Sequence, residues 1–359
     1  MRPRGHAVAA GGVAPFNARG RPPGPLVATG IAVGIVAIST SPILVREAHV
    51  PALALAFWRC LAGALLLAPF ALRAGLRARR AEPEGPGGAV LPEGPGGAAV
   101  PEGPGGAAVP AGSRGVPLRR DLGWLALSGA CLALHFSLWN ASLALTTVAS
   151  STVLVACSPL FVGVLAGPLL GEPPSRLGWA GIGLTIAGAA LIALGDAGAV
   201  DLGPRALLGD AMAFGGAAAI GGYFLIGRSL RRRLPASTYA ASVYGFAAAL
   251  LLPASLLSGA PLAGYSGRSW LVIGGVVVGP QLLGHTVFNA LLATLTADAV
   301  AVIGLTEPVG ATLLAWLIFQ ELPTRWFWPG AVLVLAGVWL GVRGTNRPVD
   351  NPKKALDER

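Results

Sequence analysis

Ten apolar runs, each close to the length of a membrane-crossing helix, leave this chain little choice of fold. They cover residues 25–45, 51–72, 122–143, 147–170, 176–195, 206–227, 236–257, 269–292, 298–319 and 326–343. A helix rising 1.5 Å per residue needs ~20 residues to cross ~30 Å of hydrocarbon. In that medium each backbone amide must find its partner inside the protein, so such runs become helices. Composition excludes the soluble alternative. Only 12% of residues are charged and mean hydropathy is +0.67, whereas a soluble domain carries about 25% charged residues.

The net charge of +10 does not predict a nucleic-acid partner, because the basic residues sit in the gaps between runs. With the N-terminus in the cytoplasm, 21 basic residues fall on the cytoplasmic side and four (Arg46, Arg205, Arg268 and Arg325) on the other, with Arg59 inside a run. That bias predicts an even number of spans, both termini cytoplasmic, and a multi-pass protein of the cell membrane. Among the basic residues only Lys353 and Lys354 are lysine. With the richness in Ala, Gly and Pro, this points to a GC-rich bacterial source. Cys60, Cys131 and Cys157 lie in apolar runs with no CxxC pair. No disulfide framework, metal site or cofactor is expected.

Residues 1–24 and 344–359 read as polar cytoplasmic tails. Between the second and third runs lies a low-complexity linker, 80–118. It contains three tandem nonapeptides: EGPGGAVLP, EGPGGAAVP and EGPGGAAVP. Gly and Pro at this density cannot build a helix or a core, leaving a plain flexible linker or a docking element.

The most informative feature beyond the runs is an internal repeat. A shift of 149 carries Asn140 onto Asn289, Pro159 onto Pro308, Glu172 onto Glu321, Pro174 onto Pro323, Arg176 onto Arg325 and Trp179 onto Trp328. The same shift carries Gly181 onto Gly330 and Gly188 onto Gly337. A shift of 184 carries Pro51 onto Pro235 and Pro69 onto Pro253; the difference of 35 is about the length of the linker. Each half therefore has five spans. Two odd-numbered halves in tandem cross the membrane in opposite senses, as in many secondary transporters with a site at the repeat interface. The expected fold class is an all-α polytopic membrane protein, with ten transmembrane helices as two inverted five-helix repeats (25–195 and 206–343) around a central cavity.

The paired segments SPLFVGVLAGPLLGEPPS (158–175) and EPVGATLLAWLIFQELPT (307–324), with FWRC at 57–60, resemble the EamA family of the drug/metabolite transporter superfamily. The resemblance covers nearly the whole chain outside the tails and linker. It departs at Gln320, where the first copy has Gly171. It implies export or exchange of a small metabolite across the cytoplasmic membrane without ATP hydrolysis, and no phosphate-binding loop motif is present.

Several residues are candidates for the transport pathway. Pro159 and Pro308 are expected to kink the fourth and ninth spans, freeing carbonyls near Val155 and Gly304 to line a central cavity. Glu307 lies ~13 Å into its span. A carboxylate at that depth serves a substrate amine, a coupling proton, or packing against a neighbouring helix. Arg59, ~12 Å into the second span, binds Glu307, a substrate carboxylate, or broken-helix carbonyls. Trp58, Trp139, His135, Asn140, Tyr223, Tyr244, Gln281, His285 and Asn289 are further polar candidates for the substrate or proton pathway. Asn140 and Asn289, as repeat mates, face one axis or act as interhelical glue. Glu172 and Glu321 end the fourth and ninth spans, each four residues before an arginine, and read as turn-and-anchor elements in preference to gates. The glycine series 163/167/171 and 337/341 predicts close helix contacts. Nothing in it singles out a homodimer over packing within the protomer.

The expected function is secondary transport of a small organic solute, such as an amino acid or drug-like molecule, by alternating access. Proton coupling and simple exchange are both open. Arg59, His135, His285 and Glu307 are spread over four spans without a convergent nucleophile and base, so no enzyme is expected. The alternative class is a non-transporting membrane sensor or assembly subunit. The lipid bilayer and a small-molecule substrate are the expected partners.

Overall fold

The computed structural model describes residues 24–80, 117, 119–142, 145–146, 151, 154–196, 203–320 and 322–344. Both tails, nearly all of the linker with its nonapeptides, and Glu321 lie outside these residues. No strand occurs among the described residues, and the protein is an all-α, multi-pass membrane protein.

Eight helices are long and apolar enough to cross a bilayer unaided: Gly24–Val45, Ala52–Ala78, Arg119–Ser142, Pro204–Arg231, Ala236–Leu257, Gly267–Leu291, Ala297–Ile318 and Phe327–Gly344. Two shorter apolar helices, Ser158–Leu170 and Arg176–Ile192, supply the fourth and fifth spans and complete the ten. The second helix runs Ala52–Arg80, well past the expected end at residue 72. Nothing in its basic last turns breaks helical geometry, so the helix continues beyond the apolar run. Large side chains such as Leu65, Leu169, Leu257, Leu271 and Trp328 are exposed on the outer surface. In a membrane protein this is the lipid-facing belt.

The helix ends alternate as ten crossings require. At one end Asp121 pairs with Arg233, Glu172 with Arg228, and Gly344 packs on Ser175 and Gly178. At the other end Glu47 pairs with Arg268 at 2.7 Å, and Thr146 donates to Asp210 at 2.7 Å.

The inversion is written into one seam. The fifth span, Arg176–Asp196, packs along the tenth, Phe327–Gly344, more extensively than any other pair of described helices. A Cβ placed on Gly181 would sit 2.7 Å from the Gly337 carbonyl, and one on Gly188 would sit 2.6 Å from the Gly330 carbonyl. Gly181 and Gly330 are repeat mates, as are Gly188 and Gly337. Each glycine thus meets the mate of the other, which is the signature of a two-fold axis. Because contact positions rise along one helix as they fall along the other, the two helices are antiparallel and the axis lies across them. That makes the two halves inverted. Other large contacts obey the same exchange: third on sixth matches eighth on first, and second meets its own mate, the seventh. The small residues therefore serve packing within the protomer. Gly163 meets Trp179 and Ile182, and Gly167 meets Pro173.

The fourth and ninth spans are broken where kinks were expected. Residues 156–157 form a turn before the helix Ser158–Leu170, and residues 305–306 form one between Ala297–Gly304 and Glu307–Phe319. Pro159 and Pro308 sit in the first turn of the new helix. A proline without an N–H is well placed at a helix start and costly further in, so each span stops and restarts. The eighth span departs from α geometry in another way, forming a π-helix over Val277–Thr286.

Candidate functional site

A cavity of about 90 Å³ lies between the halves. Its walls come from both sides of the two-fold axis. Val155 and Ser158 flank the first break; Gly304, Leu305 and Glu307 flank the second. The prolines are behind this wall, not in it. Pro159 is buried and Pro308 half-buried, and it is the residues around each break that reach the cavity. The remaining polar lining is Ser41, Arg59, His135, Trp139 and His285, set among Ile38, Phe136, Ile220, Phe224, Phe288 and Ala301.

Arg59 is the dominant charge, with only 3% of its surface exposed. Its Nε donates to Gln281 Oε1 at 2.7 Å, and its Cζ lies 4.2 Å from the Phe136 ring centroid, within cation–π range. Its Nη2 has no hydrogen-bond partner. A buried guanidinium with an unused N–H is an anion-binding group in waiting. Trp139 Nε1 and His285 Nδ1 are likewise buried without a partner. His135 Nδ1 lies 3.0 Å from the Gly216 carbonyl. A carbonyl only accepts, so Nδ1 carries the proton and Nε2 is left as an acceptor. The His135 ring stacks on Trp139 at 6.0 Å.

Glu307 is half-buried and lines the same cavity. It makes no ion pair within 4.0 Å among the described residues, Arg59 included. Arg59 and Glu307 therefore share a chamber without a direct ion pair.

The other sequence-derived candidates stand behind the lining or away from it. Gln281 is fully buried and steers Arg59. Tyr244 supports it from behind, its hydroxyl 3.1 Å from Thr286 Oγ1. Tyr223 donates to Asn289 Oδ1 at 2.6 Å, and its ring lies edge-on to His285 at 6.5 Å. Asn140 donates to the Ala52 carbonyl at 3.4 Å, a link between spans quite unlike that of its mate. Trp58 points away from the cavity. Its Nε1 donates to the Leu262 carbonyl at 2.9 Å, and its ring meets Trp270 at 5.2 Å. No metal-binding group of three or more His, Cys, Asp or Glu occurs among the described residues.

Glu172 is the centre of an ionic cluster at one end of the bundle. It accepts from Arg228 Nε at 2.9 Å and Nη2 at 2.7 Å, and from Arg232 Nη2 at 2.6 Å. Burial alone would raise its proton affinity. The hydrogen bonds and charge of Arg228, then the charge of Arg232, outweigh that and hold its carboxyl below the ordinary range. A carboxyl with a depressed pKa stabilises the fold above its unfolded value and loses that contribution as pH falls through the lowered value. Thermal stability of the wild type is therefore expected to fall on acidification to below the normal glutamate range, whereas Glu172→Gln gives a flatter profile. Parallel profiles would show that the cluster contributes nothing.

Ser41 and Ser158 are lining residues that the sequence pattern did not single out. A readable signal exists. Ser41-Pro42, Ser158-Pro159 and Glu307-Pro308 are all X-Pro pairs at a helix start, and in each the residue before proline faces the cavity.

A sequence profile of the EamA-like transporter family matches residues 107–194 and 207–343. The chain is also similar to the uncharacterized transporter YwfM of Bacillus subtilis (strain 168). The two are 26% identical over 226 residues, covering 59% of this chain and 70% of that protein. A solved crystal structure superimposes with a TM-score of 0.67 at 18% identity, covering 89% of this chain and 98% of the other.

Proposed function

This chain belongs to the EamA-like transporter family, and we propose that it is a secondary carrier moving a small organic solute across the cytoplasmic membrane by alternating access. The observation that carries the reading is the cavity itself. It lies where two broken, symmetry-related spans meet, and both Arg59 and Glu307 line it without pairing directly. Inverted repeats with discontinuous helices at their interface are a recurrent way to build a midplane site that opens to either side. A solute bearing both an anionic group for Arg59 and a cationic group for Glu307, such as an amino acid, satisfies both charges at once. Proton uptake by Glu307 is the other way to neutralise that wall, and it would couple transport to the proton gradient.

The distribution of basic residues assigns the Glu172 end, and with it both termini, to the cytoplasm. The units are then 25–195 and 206–343, with the linker 80–118 cytoplasmic.

The test is export from cells expressing the chain, read against a panel of amino acids and cationic amphiphiles, with and without a proton uncoupler. Glu307→Gln is expected to cut flux at least about tenfold, as loss of a buried charged contact of ~1.4 kcal/mol or more would do. Full flux in that variant removes Glu307 from the pathway. Absence of any exported solute from the panel argues against the carrier reading.

A further inference from the structure

We propose that the arginine cluster ending the sixth span is a clasp closing the cavity at that end, and that the eighth span links the clasp to the cargo site. The inference extends the carrier reading and rests on it for its purpose, but its geometry is independent.

Each ion pair of the clasp joins one half of the protein to the other. Glu172 and Asp121 belong to the first repeat; Arg228, Arg232 and Arg233 belong to the second. Glu172 takes a bidentate fork from Arg228 and a further bond from Arg232. Asp121 is fully buried and takes two bonds from Arg233, one of them at 2.6 Å. The Arg228 and Glu172 side chains are only 12% and 14% exposed. Ion pairs held this far from water resist separation much more than surface pairs do. Two halves cannot part at this end while these bonds persist.

The same arginines fasten a second element. Arg228 Nη1 donates to the Leu292 carbonyl at 2.8 Å, and Arg231 Nε to the Asn289 carbonyl at 2.8 Å. Those carbonyls close the eighth span. Reading back along it, Asn289, His285 and Gln281 recur at four-residue spacing and so lie along one side of the helix. His285 lines the cavity and Gln281 holds Arg59. One side of one helix therefore carries the cargo-site groups at its middle and the clasp's anchoring carbonyls at its end. The cargo-site groups sit within the π-helical stretch Val277–Thr286, and the α-helical turn Val287–Leu291 joins it to the anchoring carbonyls; π backbone is wider than α and recurs at functional sites. A shift of this helix on cargo binding would pull directly on the Arg228 and Arg231 bonds.

The experiment measures access, not transport. The native Cys60, Cys131 and Cys157 are replaced by alanine, and a reporter Ser158→Cys is placed in the cavity wall. A membrane-impermeant thiol reagent is applied to oriented vesicles from the face bearing Glu172. Glu172→Gln combined with Asp121→Asn is expected to raise labelling from that face by about tenfold, equivalent to ~1.4 kcal/mol. The milder Arg232→Gln, at an exposed side chain, is expected to raise it by a smaller factor while leaving the fold intact. The swap Glu172→Arg with Arg228→Glu restores protection. Unchanged labelling in both the double variant and Arg232→Gln overturns the clasp, as does a folded swap variant that stays open. Failure of wild-type export in the solute panel bears on the carrier reading alone, because the labelling readout needs no transported substrate.

Discussion

Arg59→Met is expected to remove most of the export while leaving the protein folded in the membrane. Arg59 is the strongest anion-binding group in the cavity, and its Nη2 is unused. Methionine matches its length and apolar bulk but offers no N–H. Removing a buried charge usually strands its partner, at a cost of about 3–5 kcal/mol. That penalty is absent here, because no carboxylate pairs with Arg59 among the described residues. Among the described residues, the acceptor left without its donor is Gln281 Oε1, at a cost of about 1–3 kcal/mol. Flux should fall at least about tenfold, the equivalent of ~1.4 kcal/mol, with only a modest loss of thermal stability in detergent. Arg59→Lys keeps the charge but lacks the planar fork, and should fall between the two. More than half of wild-type export in Arg59→Met would show that the guanidinium does not contact the solute.

The second large effect is structural. Gly337→Leu should prevent the two halves from closing on each other. A Cβ at Gly337 would lie 2.1 Å from Thr185 Oγ1, 2.7 Å from the Thr185 nitrogen and 2.8 Å from the Gly181 carbonyl. Two of those neighbours are backbone atoms, which cannot rotate away. Overpacking of this kind costs at least about 1–3 kcal/mol, and here the whole inter-repeat seam must separate to relieve it. The matched control is Gly183→Leu on the facing helix, where nothing lies within 4 Å of the added Cβ. That change should stay within about ±0.5 kcal/mol. Detergent melting of the two variants side by side distinguishes a seam packed this tightly from one that can yield.

Much of this architecture is legible in the sequence. Ten spans follow from hydropathy, and inversion follows from a repeat containing an odd number of them. Arg59 and Glu307 stood out because ionisable groups deep in apolar runs need a reason to be there. Other parts carry no such mark. Ser41 and Ser158 are small hydroxyls, common in membrane helices where they bond their own backbone. The π-helix around Pro280 has no periodicity that a short apolar run can display. Arg228 and Arg231–Arg233 were readable only as a topology signal, because the carboxylate that Arg228 grips lies 56 residues away in the chain. The prolines were expected as bends, whereas proline at a helix start is more stable than proline in mid-helix. The structure follows that preference.

The widened stretch at Val277–Thr286 has no counterpart in the third span, which is regular α-helix over Arg119–Ser142. A duplicated machine with interchangeable parts would rest with equal ease in either posture, since exchanging its halves would turn one posture into the other. One odd part removes that degeneracy. In the alternating-access carrier proposed above, the protein then has a preferred idle posture, whose bias is an energy difference stored in the protein and not in any gradient. Such a bias cannot drive net flow, but it decides from which compartment an arriving solute first finds the door ajar.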